Sequence, residues 1–582
     1  MAEKIQAGVA MLKVIESWGV GHIYGYPGGS INSTMDALQK EQENINYIQV
    51  RHEQVGALAA AADAKLTGKI GVAFGSAGPG AVNMLNGLYD AKEDHVPVLA
   101  IVGQVPHNRM NYDYFQEFNE APIFDDVSVY NRLVMTPESL PYVIDKAIRM
   151  AYQEKGVAVV TIPNDFGYAM IPDVNYSTEK TRNQELPAIK PDMELVQHAY
   201  DMIKAAKYPV IHLGQGARGA TKEIEALSEK LQIPVIITGL AKGVLPDDFP
   251  GNMGPANRAA SKVADELIKK TDLLISIGAN FPFAASVYGD YPFKYIQVDN
   301  NQARFGIHHE LDLGIWSDAK LFIEALDEVS DKVAPSPYYK AAVAAQKDWR
   351  AYLQRLMDRT DGPLEYEQVY KQINRIADDD AVFSLDVGDN TINSFRFLNM
   401  NPKQRIVTSA LFATMGCGIP GAMASKLSFP DRQAFNIAGD GGFSMVMQDM
   451  ITEKRYNLPI INIVTSNRHL GFIKSEQDDV PQPEFGVDLT DADYAAIAEG
   501  MGVKGIKVDD PSELAGAFDE ALAETKAGRP VLIDANITDK RGIPVEHDLT
   551  SKDSVYTEEF LKKWDAEELK PFDEYLAEYS AE

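Results

Sequence analysis

The main pattern along this chain is an alternation of short apolar runs with longer segments of mixed polarity. The apolar runs have strand length, and the segments between them have helix length. Strands are predicted at 22–26, 47–50, 69–74, 97–103, 209–213, 234–238, 273–277, 294–298, 381–385, 433–438 and 458–465. Early helices are predicted at 6–18, 54–66 and 81–92. Apolar strands separated by helices are typical of parallel sheets covered on both faces. We therefore predict an α/β fold of doubly wound parallel sheets.

Two polar, proline-containing stretches divide the pattern into three blocks. They are 184–192 (QELPAIKPD) and 331–339 (DKVAPSPYY), and both read as linkers. A chain of 582 residues is long enough for about three or four domains of ordinary size. The predicted domains are 1–184, 185–335 and 336–582.

A cluster of candidate ligands lies between residues 439 and 467. The predicted strand 433–438 runs into Gly439-Asp440-Gly441-Gly442, and the predicted strand 458–465 runs into Ser466-Asn467. A helix is predicted over 444–456, between the two strands. Parallel strands place their carboxyl ends side by side, so Asp440 and Asn467 should meet there. Their oxygens suit Mg²⁺ or Ca²⁺ carrying a phosphate group.

Composition narrows the class of protein. The net charge is −29, from 84 acidic and 55 basic residues, which argues against nucleic acid or an anionic membrane as partner. No apolar run reaches the roughly 18 residues of a membrane-spanning helix. Cys417 is the only cysteine, so neither an intrachain disulfide nor a cysteine metal cluster is possible. A cytoplasmic enzyme is the expectation.

The GDG turn followed by Asn467 resembles the thiamin diphosphate (ThDP) motif of the superfamily that includes pyruvate decarboxylase and acetolactate synthase. The resemblance implies that Asp440, Asn467 and the backbone carbonyl of His469 hold Mg²⁺, with Mn²⁺ as a possible substitute. Ser466 stands where the family has Asn, but the ligand position itself, Asn467, is retained.

The resemblance extends to the other half of a ThDP site. Glu53 follows the predicted strand 47–50, where the family has a Glu that hydrogen-bonds the cofactor's pyrimidine ring. From spacing alone, Glu53 is better explained as a helix N-terminal acid favoured by the macrodipole, and the resemblance reverses that preference. Further cofactor-binding positions are implied at Tyr26, Gly28, Ser76, Val387, Gly388, Met415, Gly439, Gly441 and Gly442. Met415 takes the place of the apolar wedge that bends ThDP.

Within the superfamily, the chain is most similar to the branch of FAD-containing pyruvate oxidases of lactic acid bacteria. That likeness implies that Phe115 and Gln116 lie by the substrate and the flavin. It also implies that Phe472 lies near the route between ThDP and flavin, and that Ile473 and Glu476 line the reaction side. It also implies that the middle domain binds FAD. From its residues alone that domain is either a nucleotide domain or a degenerate spacer, since a lone glycine turn after a strand is weak evidence. The implied FAD contacts are Gly214, Gly216, Thr238, Arg258, Asn280, Phe281, Asp299 and Asp318.

The activity implied by this branch is the oxidative decarboxylation of pyruvate with phosphate and O₂ to acetyl phosphate, CO₂ and H₂O₂, through the ThDP ylid and FAD. A homotetramer made of two dimers is implied as well. Two alternatives stay open. One is a carboligase of the acetolactate synthase type with structural FAD. The other is a quinone-linked pyruvate oxidase at membranes, which the acidic C-terminal segment disfavours because it lacks a basic amphipathic face.

Overall fold

Three six-stranded sheets, all of whose strands run parallel, form the frame of the protein. A computed structural model describes residues 3–581 apart from 182–187, 257–258, 260, 284–286, 290, 480–481 and 540–568. Each sheet carries helices on both faces, so the predicted doubly wound α/β architecture is confirmed. Among the described residues, no helix combines the length and apolarity needed to cross a membrane.

The first sheet belongs to the N-terminal domain. Its strands, with a separate small pair, are β1 (Lys4–Gln6), β2 (His22–Gly25), β3 (Asn46–Gln49), β4 (Gly71–Gly75), β5 (Val98–Gln104), β6 (Ser128–Leu133), β7 (Val157–Pro163) and β8 (Met170–Pro172). The helices are α1 (Ala7–Ser17), α2 (Asn32–Lys40), α3 (Glu53–Thr67), α4 (Pro79–Asn83), α5 (Leu85–Glu93) and α6 (Leu140–Glu154). The strand order is β3-β2-β4-β5-β7-β6, and β1 pairs antiparallel with β8.

The second sheet forms the central domain, in the order β11-β10-β9-β12-β13-β14. Its strands are β9 (Pro209–Leu213), β10 (Val235–Ile237), β11 (Asn252–Pro255), β12 (Leu273–Ile277), β13 (Lys294–Asp299) and β14 (Leu313–Trp316). The helices are α7 (Met193–Ala205), α8 (Thr221–Leu231), α9 (Lys262–Lys270) and α10 (Ala319–Val329). All five residues of β9 and all five of β12 are buried, as expected for a sheet covered on both faces.

The third sheet has the order β16-β15-β17-β18-β20-β19. Its strands are β15 (Val382–Leu385), β16 (Arg405–Val407), β17 (Ala434–Gly439), β18 (Ile460–Ser466), β19 (Lys504–Val508) and β20 (Val531–Asn536). The helices are α11 (Pro337–Met357), α12 (Tyr366–Ile376), α13 (Asp389–Phe397), α14 (Gly418–Ser428), α15 (Asp440–Ser444), α16 (Met450–Arg455), α17 (Gly471–Asp479), α18 (Tyr494–Gly500), α19 (Leu514–Lys526) and α20 (Phe572–Ser580).

Two predicted helices are divided in the structure. The single helix predicted over 81–92 is α4 and α5, which meet at Met84. The helix predicted over 444–456 begins earlier, as α15 at Asp440, and continues as a short 3₁₀ turn at Met447–Asp449 and then α16. Glycine disfavours helices, but a Cβ on Gly442 would lie 2.6 Å from Asp386 Oδ1, so tertiary packing requires glycine here.

The first and third domains share one apolar core. The alanine-rich face of α3 packs against α14, with Ala57 and Ala60 in the same buried cluster as Met423 and Ala424. Small side chains let the two helices approach closely. This contact holds the first and third domains of one chain together.

A buried polar chain crosses the third domain between its sheet and α16. Asn436 Nδ2 donates to Asn462 Oδ1 at 2.9 Å, and Asn462 Nδ2 donates to Glu453 Oε2 at 2.8 Å. Burial raises the pKa of Glu453 to about 8, opposed by the Asn462 hydrogen bond and reinforced by the charge of Asp449. The folded protein therefore keeps this carboxyl protonated at neutral pH.

We expect Glu453→Gln to be more stable than the wild type above neutral pH. The pKa of Glu453 is higher in the folded protein than in the unfolded chain, so the unfolded chain releases this proton first as pH rises. The wild-type protein therefore loses stability between the ordinary pKa of the carboxyl and about 8. Glutamine mimics the protonated acid and lacks this loss. Melting temperatures at pH 5.5 and pH 8 check this: the variant should gain at pH 8 and differ less at pH 5.5. The exposed Glu43→Gln serves as control, and a difference independent of pH would contradict the prediction.

Candidate active site

Asp440 and Asn467 come together at the carboxyl ends of two neighbouring parallel strands, β17 and β18. Both are buried, with 4% and 7% of their surface exposed. Burial raises the pKa of Asp440, while backbone N–H groups of Arg468 and Gly441 donate to its carboxylate at 2.7 and 2.9 Å and favour its charged form. The carboxylate is thus oriented by the backbone around it.

The donors present here fit a hard divalent cation. Asn467 Oδ1 accepts from the His469 N–H at 3.0 Å, and the His469 imidazole turns away to Asp488, 3.0 Å distant. A carboxylate, an amide oxygen and a backbone carbonyl suit Mg²⁺. In the described part of the chain, no three His, Cys, Asp or Glu side chains form a metal cluster. A cation bound here would therefore take further ligands from phosphate or water.

The turn after β15 supports the opposite wall. Asp386 is fully buried and accepts from the N–H groups of Val387, Gly416 and Gly418 at 2.8, 2.9 and 3.0 Å. Burial raises the pKa of Asp386 to about 6, against the effect of these bonds. Gly416 has φ +83°, which favours glycine. Asp386 thereby fixes the turn that carries Met415.

A cavity of about 660 Å³ connects these elements with the central domain. The residues predicted from sequence that line it are Thr238, Asn280, Phe281, Val387, Gly388, Met415, Gly439, Asp440, Gly441, Gly442, Asn467, His469, Phe472, Ile473 and Glu476. Phe472, Ile473 and Glu476 share one face of α17. Met415 is only half-buried, and its Cε would lie 3.2 Å from a Cβ on Gly441. Its side chain therefore reaches the Gly439–Gly442 turn.

Glu53 lies in a second cluster, at the first residue of α3. It is 9% exposed, and its Oε2 accepts from Asn83 Nδ2 at 3.0 Å. A Cβ on Gly80 would lie 2.9 Å from its Oε1, and a Cβ on Gly28 would lie 2.5 Å from Ser76 Oγ. Glu53 therefore lies close to the two glycine turns that were predicted to contact the cofactor. Tyr26, which is half-buried, lies beside one of these turns.

Phe115 and Gln116 lie on a loop that Glu117 organises. The Glu117 carboxylate accepts from the N–H groups of Asn111, Tyr112 and Tyr114, the last two at 3.3 and 3.1 Å. These backbone bonds lower the pKa of Glu117. Phe115 is 79% exposed, so the loop presents a large apolar side chain to the surroundings of the chain.

The two clusters do not share a cavity within one chain. All described residues that line the 660 Å³ cavity come from the central and third domains. Glu53, Tyr26, Gly28, Ser76, Phe115 and Gln116 are absent from its walls. One chain therefore holds both halves of the predicted site without joining them.

A smaller cavity of about 320 Å³ lies at the strand ends of the central sheet. Of the predicted contacts, Gly214, Gly216, Thr238, Asn280, Asp299 and Asp318 line it. It shares wall residues Thr238 and Asn280 with the larger cavity, so the two are contiguous. Arg258 lies outside the described residues.

The acids of this smaller cavity have distinct environments. Asp318 caps α10, accepting from Lys320 N–H at 3.0 Å and Leu321 N–H at 3.2 Å. Burial raises the pKa of Asp299, while the Asn301 N–H, Arg304 and Lys155 lower it. Asp318 is thus committed to its own helix.

Sequence reasoning missed several residues at both clusters. Asn83 holds Glu53 but follows it by thirty positions, and nothing in the spacing marks it. His95 and Lys155 of the first domain and Arg304 of the central domain line the smaller cavity. Only the packing of the first domain on the central one brings His95 and Lys155 there, and no local sequence signal identifies any of the three.

Comparison with known families accounts for this arrangement. Three thiamine pyrophosphate enzyme models match: the N-terminal TPP binding domain at 5–123, the central domain at 196–326 and the C-terminal TPP binding domain at 386–535. Thiamine pyrophosphate is another name for ThDP. Each match falls inside one predicted domain, and the exact domain boundaries stay predictions.

Individual relatives match over nearly the whole chain. A pyruvate oxidase of Lactiplantibacillus plantarum is 47% identical over 99% of this chain and 96% of its own length. A putative thiamine pyrophosphate-containing protein of Bacillus subtilis, YdaP, is 41% identical over 94% and 93%. A probable acetolactate synthase large subunit of Methanocaldococcus jannaschii is 30% identical over 92% of each. The chain therefore belongs to the family of thiamine pyrophosphate enzymes.

Proposed function

We propose that the protein is a pyruvate oxidase that converts pyruvate, phosphate and O₂ to acetyl phosphate, CO₂ and H₂O₂. The identity of 47% to a pyruvate oxidase, against 30% to an acetolactate synthase, supports this activity over carboligation. The observation that carries the proposal is the cavity that runs from Asp440 and Asn467 to Phe281 of the central domain. A substrate bound in this cavity would contact both the domain proposed to bind the metal and the domain proposed to bind FAD.

The metal proposed for the anchor is Mg²⁺, with Mn²⁺ as an alternative. Asp440 Oδ, Asn467 Oδ1 and the His469 carbonyl would hold it, and it would bind the ThDP diphosphate. When bound, ThDP supplies a carbon nucleophile and an electron sink for decarboxylation. Met415 would pack against the cofactor, and the Val387–Gly388 turn would support the cofactor through its backbone.

Glu53 provides the proton-transfer function. Its carboxylate would hold a proton at the pyrimidine nitrogen, and Asn83 keeps it oriented from the other side. Phe115, Gln116, Ile473 and Glu476 would exclude water and orient the substrate, and Phe472 would lie between the substrate and the flavin. The sequence of steps thus needs side chains from both clusters.

FAD is proposed for the central domain, and the glycine turns fit it. A Cβ on Gly214 would lie 2.1 Å from Gly278 O, so only glycine lets the loops after β9 and β12 meet at the cavity. The two contiguous cavities give room for an extended dinucleotide. Asp299, at the end of β13, would accept a hydrogen bond from a ribose hydroxyl.

A second chain completes the site in this proposal. Since Glu53 and Phe115 lie off the cavity that holds Asp440, the first domain of another copy would supply them. A 79%-exposed Phe115 fits burial in such an interface. A homotetramer built from two dimers, and a cytoplasmic location, stay predictions.

We expect Lys155→Ala and Arg304→Ala each to weaken FAD binding by roughly 10-fold, the usual worth of a hydrogen bond to a charged group. Both cations line the smaller cavity, and neither forms an ion pair with another described residue, in a chain of net charge −29. They are therefore available to an anionic diphosphate. Flavin fluorescence titration of the apoprotein measures this. Exposed Lys222→Ala on α8 is the control, and unchanged affinity in both variants would contradict the assignment.

The absorption spectrum of the purified protein, followed by pyruvate addition without oxygen, tests the proposed function. A yellow protein that bleaches with pyruvate and, after O₂ and phosphate are added, yields acetyl phosphate and H₂O₂ is expected. Formation of acetolactate without peroxide would replace the proposal by the carboligase alternative.

A further inference from the structure

The turn that leads into Glu53 is held by side chains from the third domain of the same chain. Gln49 ends β3, an edge strand of the first sheet, so its outer edge has no neighbouring strand. The Gln49 N–H donates to Tyr456 Oη at 2.8 Å, and the Arg51 N–H donates to Asp449 Oδ1 at 2.9 Å. At this turn, α16 and the residues next to its two ends therefore cover the outer edge of β3.

Two further residues complete this set, which we call the α16 clamp: Asp449, Thr452, Arg455 and Tyr456. Thr452 Oγ1 lies 2.8 Å from Asp449 Oδ1 and 3.2 Å from Gln49 O. The Arg455 guanidinium donates to Gln49 Oε1. Every member thus contacts residues 49–51 directly.

Asp449 is the member whose burial has the highest energetic cost. It is fully buried, and its second oxygen, Oδ2, has no hydrogen-bond partner in the structure. Burying a carboxylate with an unsatisfied oxygen costs free energy, so its presence calls for a structural or functional explanation. The task visible here is to fix the Arg51 N–H, two residues before Glu53.

We propose that Asp449 is a positioning residue for Glu53. The hydrogen bond to Arg51 sets the direction in which α3 starts, because α3 begins at Glu53 itself. Asn83 then orients the carboxylate, so backbone and side chain are fixed from two sides. The inference rests on the proposed role of Glu53, and it gives α16 a part in proton transfer at the pyrimidine ring.

The experiment measures hydrogen–deuterium exchange at C2 of ThDP bound to the full-length holoenzyme, with saturating ThDP and Mg²⁺. Asp449→Ala should slow exchange and turnover roughly 10-fold, since small misplacements of a catalytic group are costly. The KM for pyruvate should stay within about 3-fold, because the substrate contacts are unchanged. Asp449→Asn keeps an oxygen acceptor for Arg51 and should restore exchange to within about 3-fold of wild type.

A matched control separates positioning from general stability. Asp145 is also a buried carboxylate, 2% exposed, and accepts from Trp18 Nε1 at 3.1 Å within the first domain. Asp145→Ala should lower the melting temperature and leave C2 exchange unchanged. If Asp449→Ala does not fold, Tyr456→Phe removes the Gln49 contact instead and should slow exchange.

The outcomes distinguish the two proposals. Normal C2 exchange in folded Asp449→Ala overturns the positioning role. If the alanine variant does not fold, normal C2 exchange in Tyr456→Phe overturns it instead. In either case, slow exchange in Glu53→Gln still supports the proposed function. Normal exchange in Glu53→Gln overturns the role of Glu53 itself.

Discussion

Glu53→Gln should lower turnover by roughly 10²–10⁴-fold, the usual worth of general acid–base assistance. Glutamine retains the size of the side chain and an oxygen for Asn83 Nδ2, so the fold and the local hydrogen bond should persist. What it loses is the group that accepts and returns a proton. Acetyl phosphate formation under saturating pyruvate, ThDP and Mg²⁺ measures the loss.

The comparison variant addresses the alternative reading of Glu53 as a helix N-terminal acid. Glu194 stands in the first turn of α7, is exposed, and lies outside both cavities. Glu194→Gln should leave turnover unchanged. Glu53→Gln activity within a few-fold of wild type would reduce Glu53 to the same macrodipole role.

Asp440→Asn should weaken Mg²⁺-dependent ThDP binding by roughly 10²-fold or more, since even residues that only orient metal ligands are worth 10–100-fold. The amide can still accept from Gly441 and Arg468, but it carries no charge to offset the cation. Calorimetric titration of the apoprotein with ThDP at fixed Mg²⁺ measures the affinity.

Asp488→Asn is the matched control for this change. Asp488 contacts the His469 imidazole at 3.0 Å and is exposed, whereas the metal is expected to use the His469 carbonyl. ThDP affinity within about 3-fold of wild type is expected for Asp488→Asn. Equal losses in the two variants would show that Asp440 acts through the loop and not as a ligand.

The sheets were predictable because their strands are buried on both faces. The five-residue runs at 209–213 and 273–277 coincide with β9 and β12, since short, mainly apolar runs of strand length that end at a glycine are typical of buried strands. The start of α15 was not predictable. Its Gly442 is required by contact with Asp386, more than fifty residues earlier in the chain.

The candidate site divides in the same way. Asp440 and Asn467 follow adjacent strands, so the motif alone predicts their meeting. Asn83, Lys155, Arg304 and Asp449 reach their positions only through packing between separate elements or domains. Individually they are ordinary surface or core residues, and only the assembled fold gives them partners.

Because Glu53 lies outside the cavity that contains Asp440, two defective variants of the chain are expected to complement each other. If another copy supplies Glu53, then Glu53→Gln and Asp440→Asn chains, each inactive alone, complement one another in a mixed dimer. One of its two sites carries both defects, and the other carries neither. Refolding the variants together in equal amounts should restore about a quarter of wild-type activity, as random pairing in a two-fold dimer requires. A site closed within a single chain would restore none.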